Sequence, residues 1–144
     1  MTYDPTRPAY RLHTLVSALD AAADRMLGES FGISYGRFLT LVTIQALGAP
    51  TQVELAGARD VSAPAASRMV QSLVEAGLVT ATRTDGAGNR RVLRLTETGS
   101  TLVADGGQLL ESSFEQLLAA TDVTADLVRS VTDPLLAVLK PELS

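Results

Sequence analysis

Arg68 and Gln71 stand three residues apart in a stretch that reads Ser62-Ala63-Pro64-Ala65-Ala66-Ser67-Arg68-Met69-Val70-Gln71. That spacing puts both side chains on one face of a helix. A guanidinium there offers paired donors to guanine O6 and N7, and a carboxamide pairs a donor and an acceptor with adenine. Ser62 and Ser67 add hydroxyls to the same turns. Pro64 and Ala65 add small apolar surface of the kind that meets a thymine methyl. Arg83, Arg90 and Arg91 flank Asp85-Gly86-Ala87-Gly88-Asn89, so a turn-forming loop is bracketed by cations suited to phosphates or a minor groove. Thr51 and Gln52 open another helix, where backbone N–H groups can hold a phosphate. The chemistry implied is recognition of duplex nucleic acid.

Simpler roles exist for each of these groups. Arg68 and Gln71 could solvate a helix face, the loop arginines could protect a hairpin edge, and Thr51 caps its helix in any case. Catalytic alternatives have less to work with. The chain has no cysteine and one histidine, which excludes thiolate nucleophiles, disulfides and a histidine-rich metal set. It also lacks a Gly-rich phosphate loop, and Glu75 and Asp85 have no nucleophile or metal ligand beside them. We therefore expect no enzyme, no cofactor and no metal site.

The elements that must position these residues are marked by local signals. Thr51 with Glu54 is a capping box for a short helix. Ser62 caps the next one, Pro64 is tolerated in its first turn, and Met69, Val70, Leu73 and Val74 form an apolar stripe that ends at Gly77. Leu78–Thr84 and Arg90–Leu95 alternate apolar and polar as the strands of a hairpin. Helix, turn, helix and hairpin in this order predict a winged helix-turn-helix over residues 33–96. Before it, Leu12, Leu15, Val16, Leu19, Ala23, Met26 and Leu27 predict a helix over Tyr10–Leu27 ended by Gly28. Ser34 caps another that runs to Leu47 and Gly48. After it, Thr96–Ala120 and Val123–Leu139 read as helices. Gly106-Gly107 marks a bend or a close helix contact, and Pro134 a kink or a restart capped by Asp133.

The expected fold class is mainly α with a small β-hairpin wing (α+β), in one domain of 144 residues. Residues 1–30 and 97–144 carry more apolar helical surface than a winged helix can cover, which predicts dimerisation helices and a homodimer. The net charge of −4 is unevenly spread. Residues 61–96 hold five arginines against two acids, residues 97–144 two cations against eight acids, and residues 1–60 five arginines against six acids. The cationic excess thus falls on the winged segment, and a local patch governs phosphate binding. No apolar run approaches the roughly 20 residues of a membrane span, and the first residues do not read as a secretory signal. We expect a cytoplasmic protein with no membrane partner.

The ordered pattern resembles the MarR (multiple-antibiotic-resistance regulator) family from about Tyr10 to Leu139. It is carried by Ile33-Ser34, Thr51-x-x-Glu54-Leu55-Ala56, Ser67-Arg68-x-Val70-x-x-Leu73-x-x-x-Gly77-Leu78-Val79, Arg83, the wing, and Leu95-Thr96-x-x-Gly99. The resemblance implies a dimeric repressor or activator that binds a pseudo-palindromic double-stranded DNA operator and is released by a small ligand. Three departures stand out. Pro64-Ala65-Ala66-Ser67 replaces a hydroxyl-rich run, the wing arginines sit one or two places further along than in the family, and Arg59 stands where leucine is usual. Members of the family respond to oxidants through cysteine, to metals through histidine and carboxylates, or to organic compounds through a pocket. This composition leaves the third route, a small aromatic or amphipathic effector. The resemblance points to Tyr35, Arg37 and Phe38 for its site, with Arg11 and His13 on the first helix as further candidates. A winged-helix module that binds another protein instead of DNA is the alternative function.

Overall fold

The computed structural model describes residue 2, residues 4–83 and residues 90–143. Among them are helices α1 (Pro8–Phe31), α2 (Tyr35–Leu47), α3 (Gln52–Arg59), α4 (Ala63–Glu75), α5 (Glu97–Ala119) and α6 (Ala125–Leu139). Strands β1 (Val79–Arg83) and β2 (Arg91–Leu95) lie between α4 and α5. The expected turn at 85–89, with Thr84, lies outside the described residues. The chain divides into two compact units, residues 1–107 and 108–144.

The core of the first unit is built from one face of each element. Leu27 of α1, Leu41 and Ile44 of α2, Leu55 of α3, Leu73 of α4, Val79 of β1 and Leu93 of β2 are fully buried. Of the stripe expected on α4, Val70 and Leu73 are buried, Met69 is half-buried and Val74 stays exposed. Caps fix where the helices start. Ser34 Oγ accepts from the Arg37 N–H at 3.3 Å, and Ser62 Oγ from the Ala65 N–H at 3.2 Å. Thr51 and Glu54 form both arms of the capping box, at 3.3 and 2.7 Å. α1 is longer than its sequence suggests. Gly28 does not stop it, because an interior glycine costs only about 1 kcal/mol and the buried Ala23 and Leu27 anchor that turn. The helix ends at Gly32, whose φ of 66° is the left-handed conformation that lets its N–H reach the Gly28 carbonyl at 3.1 Å.

The hairpin pairs Val79 with Leu95, Ala81 with Leu93 and Arg83 with Arg91 on one face, and Thr80 with Arg94 on the other. It is tied to the helices at its base. The Leu93 N–H donates to the Pro50 carbonyl at 2.8 Å, and Thr51 bridges to Val92. Thr96 Oγ1 donates to the Gly77 carbonyl at 2.7 Å while accepting from the Gly99 N–H at 3.0 Å, so one hydroxyl closes the hairpin and caps α5.

Two glycines on α5 permit close packing. A Cβ at Gly106 would stand 2.6 Å from Phe38 Cε2, which is the close helix contact expected there; Gly107 faces open space. A Cβ at Gly99 would overlap the Leu78 carbonyl, which belongs to the backbone and cannot swing aside. Gly99→Ala is therefore expected to destabilise the fold by about 1–3 kcal/mol, the cost of overpacking. Thermal unfolding followed by circular dichroism checks this, and an unchanged midpoint would contradict the contact.

In the second unit, α6 begins at Ala125, capped by Thr124, whose Oγ1 accepts from the Leu127 N–H at 3.1 Å. It runs through Pro134 as one helix, so of the two expected readings of that proline, a kink or a restart, the restart at Asp133 does not occur. Proline removes one donor, while the helical bonds on either side persist, as in the Lys140 N–H to Leu136 carbonyl at 2.7 Å.

Candidate nucleic-acid interface

α4 presents its polar side outward because Ala66, Val70 and Leu73 hold the opposite side in the core. Ser62, Pro64, Ser67, Arg68 and Gln71 are all exposed along it. Ala65 departs from expectation. It lies one turn before Met69 on the same side of the helix and is half-buried against a small hollow of about 60 Å³, shared with Thr40, Leu55, Arg59, Val61, Ala66 and Met69. The helical rotation of about 100° per residue carries it away from the outer face. Gln71 Nε2 donates to Glu75 Oε1 at 3.2 Å, so its carboxamide is held by an acid one turn on.

Arg83, Arg90 and Arg91 are exposed at the far end of the hairpin. The register sets Arg83 directly opposite Arg91, so two guanidinium side chains leave neighbouring strands from one face. Like charges in that position disfavour the hairpin unless an anion lies between them. Arg94, which sequence reasoning did not single out, is exposed on the other face opposite Thr80. The strand alternation through Leu93 and Leu95 contains the signal that places it outward. Thr51 and Gln52 are half-buried at the start of α3. The capping box occupies the Thr51 hydroxyl and the Thr51 and Glu54 N–H groups, and it does not involve those of Gln52 or Val53.

The residues expected around an effector are not brought together in one protomer. Arg11 and His13 are exposed near the start of α1, and the His13 ring lies 6.2 Å from that of Tyr10. The Tyr35 N–H bonds to Asp24 Oδ1 at 2.8 Å, which fixes the α2 start about 20 Å along the helix axis from Arg11, at 1.5 Å per residue. Phe38 is a core ring at 3% exposure, with Gly106 close against it. Tyr35 and Arg37 remain half-buried. Burial pushes the Tyr35 phenol above its ordinary value, Asp20 adds to the effect and Arg59 opposes it, so the hydroxyl is a neutral donor at neutral pH. Arg37 Nη2 donates to the Ser72 carbonyl at 3.4 Å, and Arg59 Nη2 to the Gly36 carbonyl at 3.5 Å. Arg59, which stands where leucine is usual, thus ties the end of α3 to the first turn of α2. Asp60 behind it takes the left-handed conformation at φ 53°. Among the described residues no group of three or more histidine, cysteine or carboxylate side chains could hold a metal ion, and no helix is long and apolar enough to cross a membrane.

Residues 31–91, from the end of α1 through α4 to the second strand, match the model of the MarR family. The match covers 61 of the 144 residues. Wild-type MarR from E. coli in its apo form is similar in fold at 24% identity, with a TM-score of 0.77 over 94% of this chain and 99% of that one. A mutant E. coli MarR complexed with operator DNA is 26% identical, with a TM-score of 0.71 over 95% and 99% of the two chains. Staphylococcus aureus MarR in complex with salicylate and kanamycin is 21% identical, with a TM-score of 0.78 over 90% and 86%. No curated protein gives a significant sequence match. The mainly helical chain with its antiparallel hairpin has the winged-helix fold of the MarR structures, with β1–β2 as the wing.

Proposed function

We propose that the protein is a transcriptional repressor that binds a pseudo-palindromic duplex operator as a homodimer and is released by a small aromatic or amphipathic organic effector. The observation that carries this reading is the outer face of α4, where Ser67, Arg68 and Gln71 stand exposed on a helix whose other side is locked into the core. The exposed arginines of the hairpin add cationic surface next to it in sequence. In this reading Arg68 and Gln71 meet base edges, with Ser62, Pro64 and Ser67 beside them. Arg83, Arg90, Arg91 and Arg94 meet phosphates or the minor groove. Thr51 and Gln52 bring the start of α3 to the backbone. A relative of this fold is described in complex with operator DNA, and another in complex with salicylate.

Two recognition helices related by two-fold symmetry should reach half-sites about 10 base pairs apart. The test is selection of bound fragments from genomic DNA, followed by titration of the best fragment against salt. Inverted half-sites and a steep fall of affinity with salt are expected, because phosphate contacts release counterions. Binding that ignores salt and sequence, or no binding at all, would favour a winged-helix module for protein contact. Effector response is read in the same assay. About 100-fold release needs roughly 2.7 kcal/mol of differential affinity between the free and bound forms.

A further inference from the structure

Arg68, Gln71 and Glu75 follow one another at spacings of three and four residues, which sets them in one stripe along the outer face of α4. All three are exposed. Two of them suit DNA, and the third does not. A carboxylate beside a duplex meets the repulsion of the phosphates. Glu75 is also the last residue of α4, where the negative end of the helix dipole disfavours an acid. No cation offsets either effect, because the ion pair found among the described residues joins Arg129 to Asp126. What Glu75 does make is the bond that Oε1 accepts from Gln71 Nε2, at 3.2 Å.

The chemistry of that bond decides what the carboxamide has left to offer. A carboxylate has only acceptors, so Gln71 must turn its NH2 group, and not its oxygen, toward Glu75. Engaging the N–H that points away from the oxygen leaves the other N–H and the oxygen side by side. Adenine presents the complementary pair in the major groove, the N7 acceptor and the N6 amino donor. Guanine presents two acceptors, N7 and O6, and a carboxamide with one N–H left cannot serve both. Reading adenine thus leaves the bond to Glu75 in place. It also meets a side chain that is already ordered, which lowers the entropy lost on binding.

We propose that Glu75 is a specificity-determining residue that holds the Gln71 carboxamide in the orientation that reads adenine. The proposal rests on the regulator reading, since it concerns how α4 selects its operator. Glu75 is a positioning residue in this role, acting through Gln71 without touching a base.

The test measures fluorescence anisotropy of the full chain on its selected operator, on single-position variants of that operator and on random DNA. Gln71→Ala locates the position that Gln71 reads. There the preference for A·T over G·C should fall by about fivefold or more in each half-site, the lower end for a good bidentate pair. Glu75→Ala should lower the preference at that same position by about threefold or more, a large part of the Gln71 effect. Its affinity for random DNA should not fall, because the lost carboxylate repelled the phosphates. Glu75→Asp keeps an acceptor-only group at a spacing where glutamine and aspartate pair, and should restore the preference. In the Gln71→Ala background, Glu75→Ala should change no base preference, which a merely structural role would not produce. An unchanged preference in Glu75→Ala, or one that still shifts when Gln71 is absent, would overturn the proposal. So would a loss of random binding in Glu75→Ala, or an operator with no A·T preference that depends on Gln71. In each of those cases selective binding by the wild-type chain keeps the regulator reading. A wild-type chain that selects no sequence removes that reading, and the role of Glu75 with it.

Discussion

Arg68→Ala should weaken operator binding by about 2–6 kcal/mol, because a guanine-reading arginine contributes about 1–3 kcal/mol and a two-fold dimer loses it in both half-sites. The side chain is exposed on α4, and no helix-internal bond depends on it, so the fold should survive the change. Discrimination among operator variants at the contacted base pair should relax together with affinity. Arg91→Ala should behave differently. Its partner across the hairpin is Arg83, and a cation pair that waits for an anion suits a phosphate better than a base edge. Removing one of its members should weaken specific and random DNA alike. It should lower the slope of log affinity against log salt by about 2 for the dimer, near 0.9 per lost phosphate contact. Fluorescence anisotropy at several salt concentrations separates the two behaviours. If Arg68→Ala binds both specific and random DNA like the wild type, Arg68 is not a contact.

Sequence showed the winged arrangement because each of its boundaries carries a local chemical signal. Thr51 with Glu54, Ser62 with Pro64, and the alternation around Leu93 all report on the backbone within a few residues of themselves. What was hidden depends on partners far along the chain. Gly28 looked like a stop because nothing local says that Ala23 and Leu27 are buried deeply enough to carry the helix on to Gly32. Ala65 sits next to the proposed contact residues in sequence, and only the packing of α3 and α2 beneath it shows that it turns inward. Phe38 begins α2 beside Arg37, yet Gly106, almost seventy residues later, makes it a core ring. Arg37 was visible as a cation near aromatics. Its bond to Ser72 and its unused Nε exist only once α2 and α4 are packed.

Leu135→Asp should convert the protein to monomers and weaken operator binding by about 10²–10⁴-fold, the avidity lost when two linked half-site contacts become independent. α6 has no buried residue. Leu127, Val131, Leu135 and Leu139 recur every four residues along it with exposures of 49, 47, 52 and 77%, and Leu136 and Val138 widen the stripe. A contiguous apolar face of this kind marks an association surface. α1 shows a similar face in its first half, with Leu12, Leu15 and Val16 all exposed. Deleting α1 would be a poor test, since Leu27 near its end is fully buried and its loss would open the core of the first unit. Single charges avoid that problem, because neither Leu135 nor Leu15 is part of that core. Sedimentation equilibrium across micromolar concentrations gives the stoichiometry, and anisotropy with one half-site or two gives the avidity. A dimer that persists in Leu135→Asp but is lost in Leu15→Glu would move the interface to α1. A wild-type chain that stays monomeric while binding one half-site would remove the two-fold operator altogether, leaving each recognition helix to bind alone.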